Sequence, residues 1–216
     1  REIDVSQGLT LVRLVALGDI WLKDVAALSS REAYGPVLDL LTSADISTCN
    51  LEGPLTTRSI PAGTIGSFLR TIPSAVTLLK EPGFKVVSVA NNHILDFGQP
   101  GFQDTIDVLH SVGIEPCGVI DPRTETQVVV TPINGVRVGF LAFCDDHYPI
   151  GIDTNTACPA LIGEEKTYEI VLEAASCVDV LIIHLHWGYE FTLHPLREYQ
   201  DIARKLIEHG ADLILC

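Results

Sequence analysis

Residues 85–98 read Lys85-Val86-Val87-Ser88-Val89-Ala90-Asn91-Asn92-His93-Ile94-Leu95-Asp96-Phe97-Gly98. Val86–Ala90 is a short apolar run, rich in β-branched residues, that suits a buried strand. It stops abruptly at two carboxamides and an imidazole, with a carboxylate three residues further on. The helix-period segment Gly101–Val112 follows. Strand, polar turn and helix in that order are the repeating unit of an α/β fold.

The same ending recurs along the chain. VRLVALGD ends at Asp19, and ADISTCNLEG delivers Asn50 and Glu52. VGFLAFCDDH delivers Asp145, Asp146 and His147, and VDVLIIHLHWGYE delivers His184, His186 and Glu190. In open α/β sheets, ligands bind beyond the carboxyl ends of the strands. Polar groups at several strand ends can therefore share one edge.

The elements expected from pattern follow from this reading. Strands are expected at Leu11–Leu17, Ile46–Cys49, Val86–Ala90, Val128–Thr131, Val136–Phe143, Val178–His186 and Leu213–Leu215. Helices are expected at Val25–Thr42, Ala75–Glu81, Gly101–Val112, Glu164–Ser176 and Pro195–His209. Pro195 suits a first helical position and Gly210 the left-handed residue after a helix. Thr56–Ile72, with Pro61, Gly63 and Gly66, reads as a loop and a candidate lid. Asn134-Gly135 between apolar runs signals a hairpin, which makes the sheet mixed.

Length and composition narrow the class. A chain of 216 residues suits one domain, 1–216, with a core of useful size. With 47% hydrophobic residues it is not a disordered chain. A net charge of −14 argues against nucleic acid or an anionic membrane as the main partner. An anionic substrate stays admissible, because a bound divalent cation reverses the local sign. No apolar run reaches the roughly 18 residues of a membrane span. The six cysteines form no C-x-x-C pair, and they read as small buried hydrophobes rather than a disulfide frame. That usage points to the cytoplasm, or to the cell envelope if an anchor precedes Arg1.

Each polar residue also has an ordinary reading. Asp19 can cap a helix, Asn50 and Glu52 can form a solvated turn before Pro54, and Asn91, Asn92 and Asp96 are common turn residues. His184 and His186 share one face of a strand, where a core role suits His184. His110, His194 and His209 read as surface histidines on helices, and Asp145-Asp146-His147 as a loop start. These readings leave both options open residue by residue. They account poorly for the repetition of polar endings on apolar runs. As donors, carboxylates, carboxamides and imidazoles suit Mn, Fe, Zn or Mg, and lack the thiolates of a closed structural zinc site.

Taken in order, ALGDIWL, NLEGPLT, SVANNHILDFGQPGF, GVRVGFLAF and LHWGYEF resemble the bacterial capsule-synthesis, or poly-γ-glutamate biosynthesis (CapA), family. That family is grouped with the calcineurin-like metallophosphoesterases, and the likeness runs from about Leu11 to Cys216. It implies a sandwich of two mixed β-sheets flanked by helices, with a site for two divalent cations at the strand ends. It also implies roles: Asp19, Glu52, Asn92 and His186 as metal ligands, and Glu190 as companion to His186. His93 becomes the phosphate-facing acid or charge stabiliser, with Asp96 orienting it. Asn50, Asn91 and His184 are supporting residues. Trp21 stands where calcineurin-like enzymes usually carry a further histidine. A Gly-His-x-Pro-His motif usually follows the match to GADLILC, so the chain is expected to be C-terminally truncated. The activity implied is hydrolysis of a phosphate ester, with a phosphorylated or anionic polymer as the substrate. The alternative is a non-catalytic module that binds polymer or the subunits of an envelope-polymer synthesis complex.

Overall fold

A computed structural model describes residues 10–216 apart from 24, 26, 65, 123–126, 146–155, 164 and 190. Asp146, His147 and Glu190 lie outside the described residues. The first half of the chain builds β1 (Leu14–Ile20), β2 (Ile46–Leu51), β3 (Phe84–Ser88) and β4 (Glu115–Cys117), joined in the order β1-β2-β3-β4. All three pairings are parallel. Their crossovers carry α1 (Ser30–Tyr34) and α2 (Val37–Thr42), then α3 (Thr77–Lys80) after a 3-10 turn, Pro73–Val76, and finally α4 (Gly98–Ser111). A helix in the crossover is the usual way to join a parallel pair.

A short antiparallel ribbon pairs β5 (Val119–Ile120) with β8 (Cys158–Pro159). The second sheet contains β6 (Val129–Ile133), β7 (Val136–Cys144), β9 (Val180–His186) and β10 (Leu213–Leu215), in the order β10-β9-β7-β6. The expected hairpin joins β6 and β7 antiparallel, turning at Asn134 with φ 50°. The other two pairings are parallel, so this sheet is mixed and the first is not. α5 (Glu165–Cys177) and α6 (Arg197–Glu208) cover its outer face.

Alternation along the strands divides the core into three layers. Ile46, Val86, Cys117, Phe140, Ala142 and Ile182 pack between the two sheets. Cys49, Leu51 and Val87 point the other way, onto Phe102, Ile106 and Leu109 of α4. Leu141, Phe143, Leu181 and Ile183 pack beneath Val171, Ala174 and Leu206 of α5 and α6. The result is helices, sheet, sheet, helices. Each fully buried leucine, isoleucine or phenylalanine contributes about 1.5–3 kcal/mol. Gly118 marks a close approach of the two sheets: with φ +85°, a Cβ there would lie 2.7 Å from the Ala90 Cβ and 2.9 Å from that of Ala142.

Several expected boundaries differ. The helix expected over Val25–Thr42 is two, broken at Gly35-Pro36, where Gly35 adopts φ 54° and ψ −131°. A capping box of Ser29 and Glu32 starts the first. The last helix begins at Arg197, so Pro195 and His194 precede it rather than open it. Four cysteines are buried as expected, but Cys177 and Cys216 are exposed. Among the described residues no helix is long and apolar enough to cross a membrane.

Candidate metal-binding cleft

The inward-facing positions of β1, β2 and β9 end in polar side chains. On β2, Ile46 lies between the sheets, so Thr48 and Asn50 share its face. On β9, Ile182 does so, and His184 and His186 follow it. β1 would fail this test without an irregularity. Leu14 pairs with Ile46 and Ala16 with Thr48, but Asp19 pairs with Asn50. One extra residue in β1 forms a bulge there, which turns Asp19 to the inner face instead of the helical side. Re-aiming a side chain is the usual consequence of a bulge.

These residues form one connected chain of contacts. Asn50 Nδ2 donates to Asp19 Oδ1 at 2.7 Å and lies 3.2 Å from His186 Nδ1. His186 Nδ1 is 3.3 Å from Asp19 Oδ1, and its Nε2 is 3.0 Å from Asn92 Oδ1. The imidazole therefore stands between the first carboxylate and the carboxamide. Its hydrogen bond to Asp19 holds that carboxyl below the usual range, against the effect of burial and with the help of Asn50. Glu52 lines the same cleft, and burial followed by the charge of Asp19 pushes its carboxyl upward.

The turn after β3 is fixed from below. Asn91 is fully buried; its Nδ2 donates to Leu51 O at 2.8 Å and to Asn50 Oδ1 at 3.2 Å. Its Oδ1 accepts from the backbone N–H of His93 at 3.2 Å and of Gly53 at 3.4 Å. It thus locks the turns after β2 and β3 to each other. His93 Nδ1 lies 2.8 Å from Asp96 Oδ2, which also accepts from Leu69 N–H at 2.6 Å. The expected His93–Asp96 partnership is present, and Asp96 is 2% exposed. Proton chemistry at His93 then falls to Nε2.

Asp19, Glu52, Asn92, His93, Asp145 and His186 border a cleft of about 680 Å³. Its far wall, missed by sequence reasoning, comes from Trp187–Tyr189, Thr192–Leu196 and Tyr199. Trp187 packs on Tyr199 with ring centroids 4.8 Å apart, and Tyr199 OH donates to Asp145 Oδ2 at 2.7 Å. Burial and this carboxylate raise the Tyr199 hydroxyl. His194 lines the cleft too, from the segment before α6.

His184 belongs one step deeper. It is 4% exposed, its Nε2 lies 2.8 Å from Thr48 Oγ1 across the sandwich, and desolvation lowers it to about 4. It is a neutral core histidine. Among the described residues, none of the Thr56–Ile72 loop lines the cleft. A parallel bridge between Leu55 and Thr71, and the Arg58–Asp104 pair at 2.9 Å, strap it against α4.

The donor set suits a divalent cation in chemistry: imidazole nitrogen, carboxamide oxygen and carboxylates. His186 Nε2 and Asn92 Oδ1 are spaced as two donors on one cation at right angles, about 3 Å for bonds of roughly 2.1 Å. Among the described residues no three His, Cys, Asp or Glu side chains are gathered closely enough to hold a metal. Asp19 faces the other ring nitrogen, and Glu52 feels the charges of Asp19 and His186 from the cleft wall. The residues fit a cation held first by His186 and Asn92, with Asp19 and Glu52 supplying negative charge.

The family model described as bacterial capsule synthesis protein PGA_cap matches residues 13–216. The capsule biosynthesis protein CapA of Bacillus anthracis is 28% identical over 149 residues, 65% of this chain and 36% of that protein. The PGA biosynthesis protein CapA of Bacillus subtilis is 26% identical over 180 residues, 82% of this chain and 47% of that one. A Mycobacterium tuberculosis protein named as a polyglutamine synthesis accessory protein is 28% identical over 199 residues, 85% of this chain and 52% of that one. The chain spans about half the length, or less, of these curated relatives. A Staphylococcus aureus crystal structure assigned as a 5'-nucleotidase superposes with a TM-score of 0.50 at 15% identity, covering 93% of this chain and 44% of that one. That likeness concerns the fold, and it agrees with the metallophosphoesterase-type sandwich expected from sequence.

Proposed function

Since the chain belongs to the bacterial capsule synthesis protein family, we propose that its strand-end cleft is a divalent-metal-dependent phosphoesterase site. The reaction is hydrolysis of a phosphate ester on a phosphorylated or anionic polymer substrate. It serves a capsule or poly-γ-glutamate assembly system, alongside that system's other subunits. The observation that carries this reading is the contact chain Asn50–Asp19–His186–Asn92, with the His93–Asp96 pair in the same cleft.

His186 and Asn92 would hold a divalent cation, with Asp19 and Glu52 balancing its charge; a second cation is part of the proposal. Bound metal supplies Lewis acidity toward the phosphoryl oxygens and a hydroxide nucleophile near neutral pH. Asn50 and Asn91 position the ligands by tying the ends of β1, β2 and β3 together. Asp96 holds Nδ1 of His93, so that Nε2 donates to the leaving oxygen or to a phosphoryl oxygen. Glu190, outside the described residues, is proposed as the companion of His186.

Hydrolysis of an aryl phosphodiester such as bis(p-nitrophenyl) phosphate, with manganese added, tests the reading. His93→Ala is expected to lower kcat by about 10²–10⁴-fold. Equal rates for the parent and the variant would contradict it and leave a binding module.

A further inference from the structure

A second hollow of about 360 Å³ is lined by Lys23, Ser59, Pro61, Phe68, Arg70, Thr71, Ile72 and Phe97. Its two charged lining residues are both basic, in a chain with 28 acids and 14 bases. Four arginines elsewhere are matched: Arg31 with Asp39 at 2.6 Å, Arg58 with Asp104 at 2.9 Å, and Arg137 with Asp179 and Arg204 with Asp201 at 2.7 Å. Lys23 and Arg70 have no carboxylate partner among the described residues. Lys23 Nζ instead stands 5.2 Å from the Trp21 ring, and the Arg70 guanidinium lies over Phe97 at 5.4 Å.

Arg70 is held in place. Its Nη1 donates to the carbonyls of Thr57 and Arg58, so its orientation is set by the loop backbone. Nε and Nη2 make no hydrogen bond among the described residues. A guanidinium fixed along one edge and stacked on a ring presents its other donors as a fork suited to an oxyanion. The stacking on Phe97 is itself favourable, and it leaves the in-plane edge of the guanidinium open to an anion.

Chain neighbours and the bonds of Asp96 link the hollow to the cleft. Lys23 lies four positions after Asp19, and Phe97 directly follows Asp96. Leu69, whose N–H binds Asp96 Oδ2, directly precedes Arg70. By contrast, no lysine or arginine among the described residues lines the cleft itself.

We propose that this hollow is an oxyanion subsite, gripping a second negatively charged group, carboxylate or phosphate, of the substrate whose ester reacts in the cleft. The substrate is therefore a polyanion. The cleft handles one phosphoryl group with its cation, and Lys23 and Arg70 neutralise the next charge along. The assignment to a substrate rests on the phosphoesterase reading; the anion binding does not.

Calorimetric titration of metal-stripped protein tests it, with hexaglutamate and inorganic pyrophosphate as separate probes. The tighter of the two identifies carboxylate or phosphate as the preferred group. The parent is expected to bind at least one probe, more weakly as salt is raised. Lys23→Gln and Arg70→Gln should each weaken it by about tenfold, as loss of a charge-assisted hydrogen bond does. Arg204→Gln, which removes the same charge elsewhere, should not. Lys23 is exposed, so its variant guards against a folding defect in the other. No binding by the parent, undiminished binding by Lys23→Gln, or equal weakening by Arg204→Gln would overturn the proposal. A failed diester assay with intact probe binding would instead remove the phosphoesterase reading alone.

Discussion

Asp19 and His184 show how one face of a sandwich separates structural from chemical polar groups. Both point between the sheets, but Asp19 lies at a strand end where the layers open, and His184 lies one step inside. His184 is kept neutral by desolvation, with its group lowered from 6.5 to about 4. In the unfolded chain it takes a proton near 6.5, so between about 6.5 and 4 the unfolded state binds more protons. Its contribution to stability is therefore full above pH 6.5 and is lost as pH falls toward 4. The shift corresponds to about 3 kcal/mol. Urea unfolding at pH 7 and pH 4.5 should show that loss, and His184→Gln should flatten the dependence over this window. The two-residue spacing of His184 and His186 is enough to place both on one face. Which of them lies under the rim depends on where β9 ends against β2, and no spacing along the chain carries that.

At the level of elements, the strands that deliver the site were legible, since short runs rich in β-branched residues that end in polar turn residues suit buried strands. The short ones were not. β4, β5 and β8 contain or adjoin Pro116, Gly118 and Pro159, residues that normally signal turns. The break at Gly35-Pro36 carries the two residue types that most often end a helix, within the single helix expected over Val25–Thr42. The bulge in β1 left no mark at all, because it exists only as a register against β2. Nor did the wall of Trp187, Tyr199 and Asp145, which meet only when α6 packs on the second sheet. The close approach at Gly118 makes a specific claim about these layers. Gly118→Ala adds a methyl group 2.7 Å from Ala90 and forces an L residue to φ +85°. Overpacking and left-handed strain together should cost about 3 kcal/mol, read as a lowered thermal midpoint with the metal ligands untouched.

Across the whole molecule, the two sheets act as a clamp. The parallel sheet brings Asp19, Asn50, Glu52 and Asn92 to its carboxyl edge, and the mixed sheet brings His186 and Asp145 to the same place. The contact of the His186 imidazole with Asp19 and Asn92 therefore needs both sheets. The charge pattern follows a similar division, with carboxylates around the cleft and, in the hollow lined by the loop, two cations with no carboxylate partner among the described residues. Everything proposed for the cleft depends on His186 and Asn92, backed by Asp19, holding a divalent metal. The most direct test is metal content after equilibration with manganese or zinc and removal of the excess by gel filtration. The parent is predicted to retain at least one equivalent, and the Asp19→Asn/His186→Ala double variant, folded by circular dichroism, to retain essentially none. Equal metal content in the two proteins would contradict the proposed metal site.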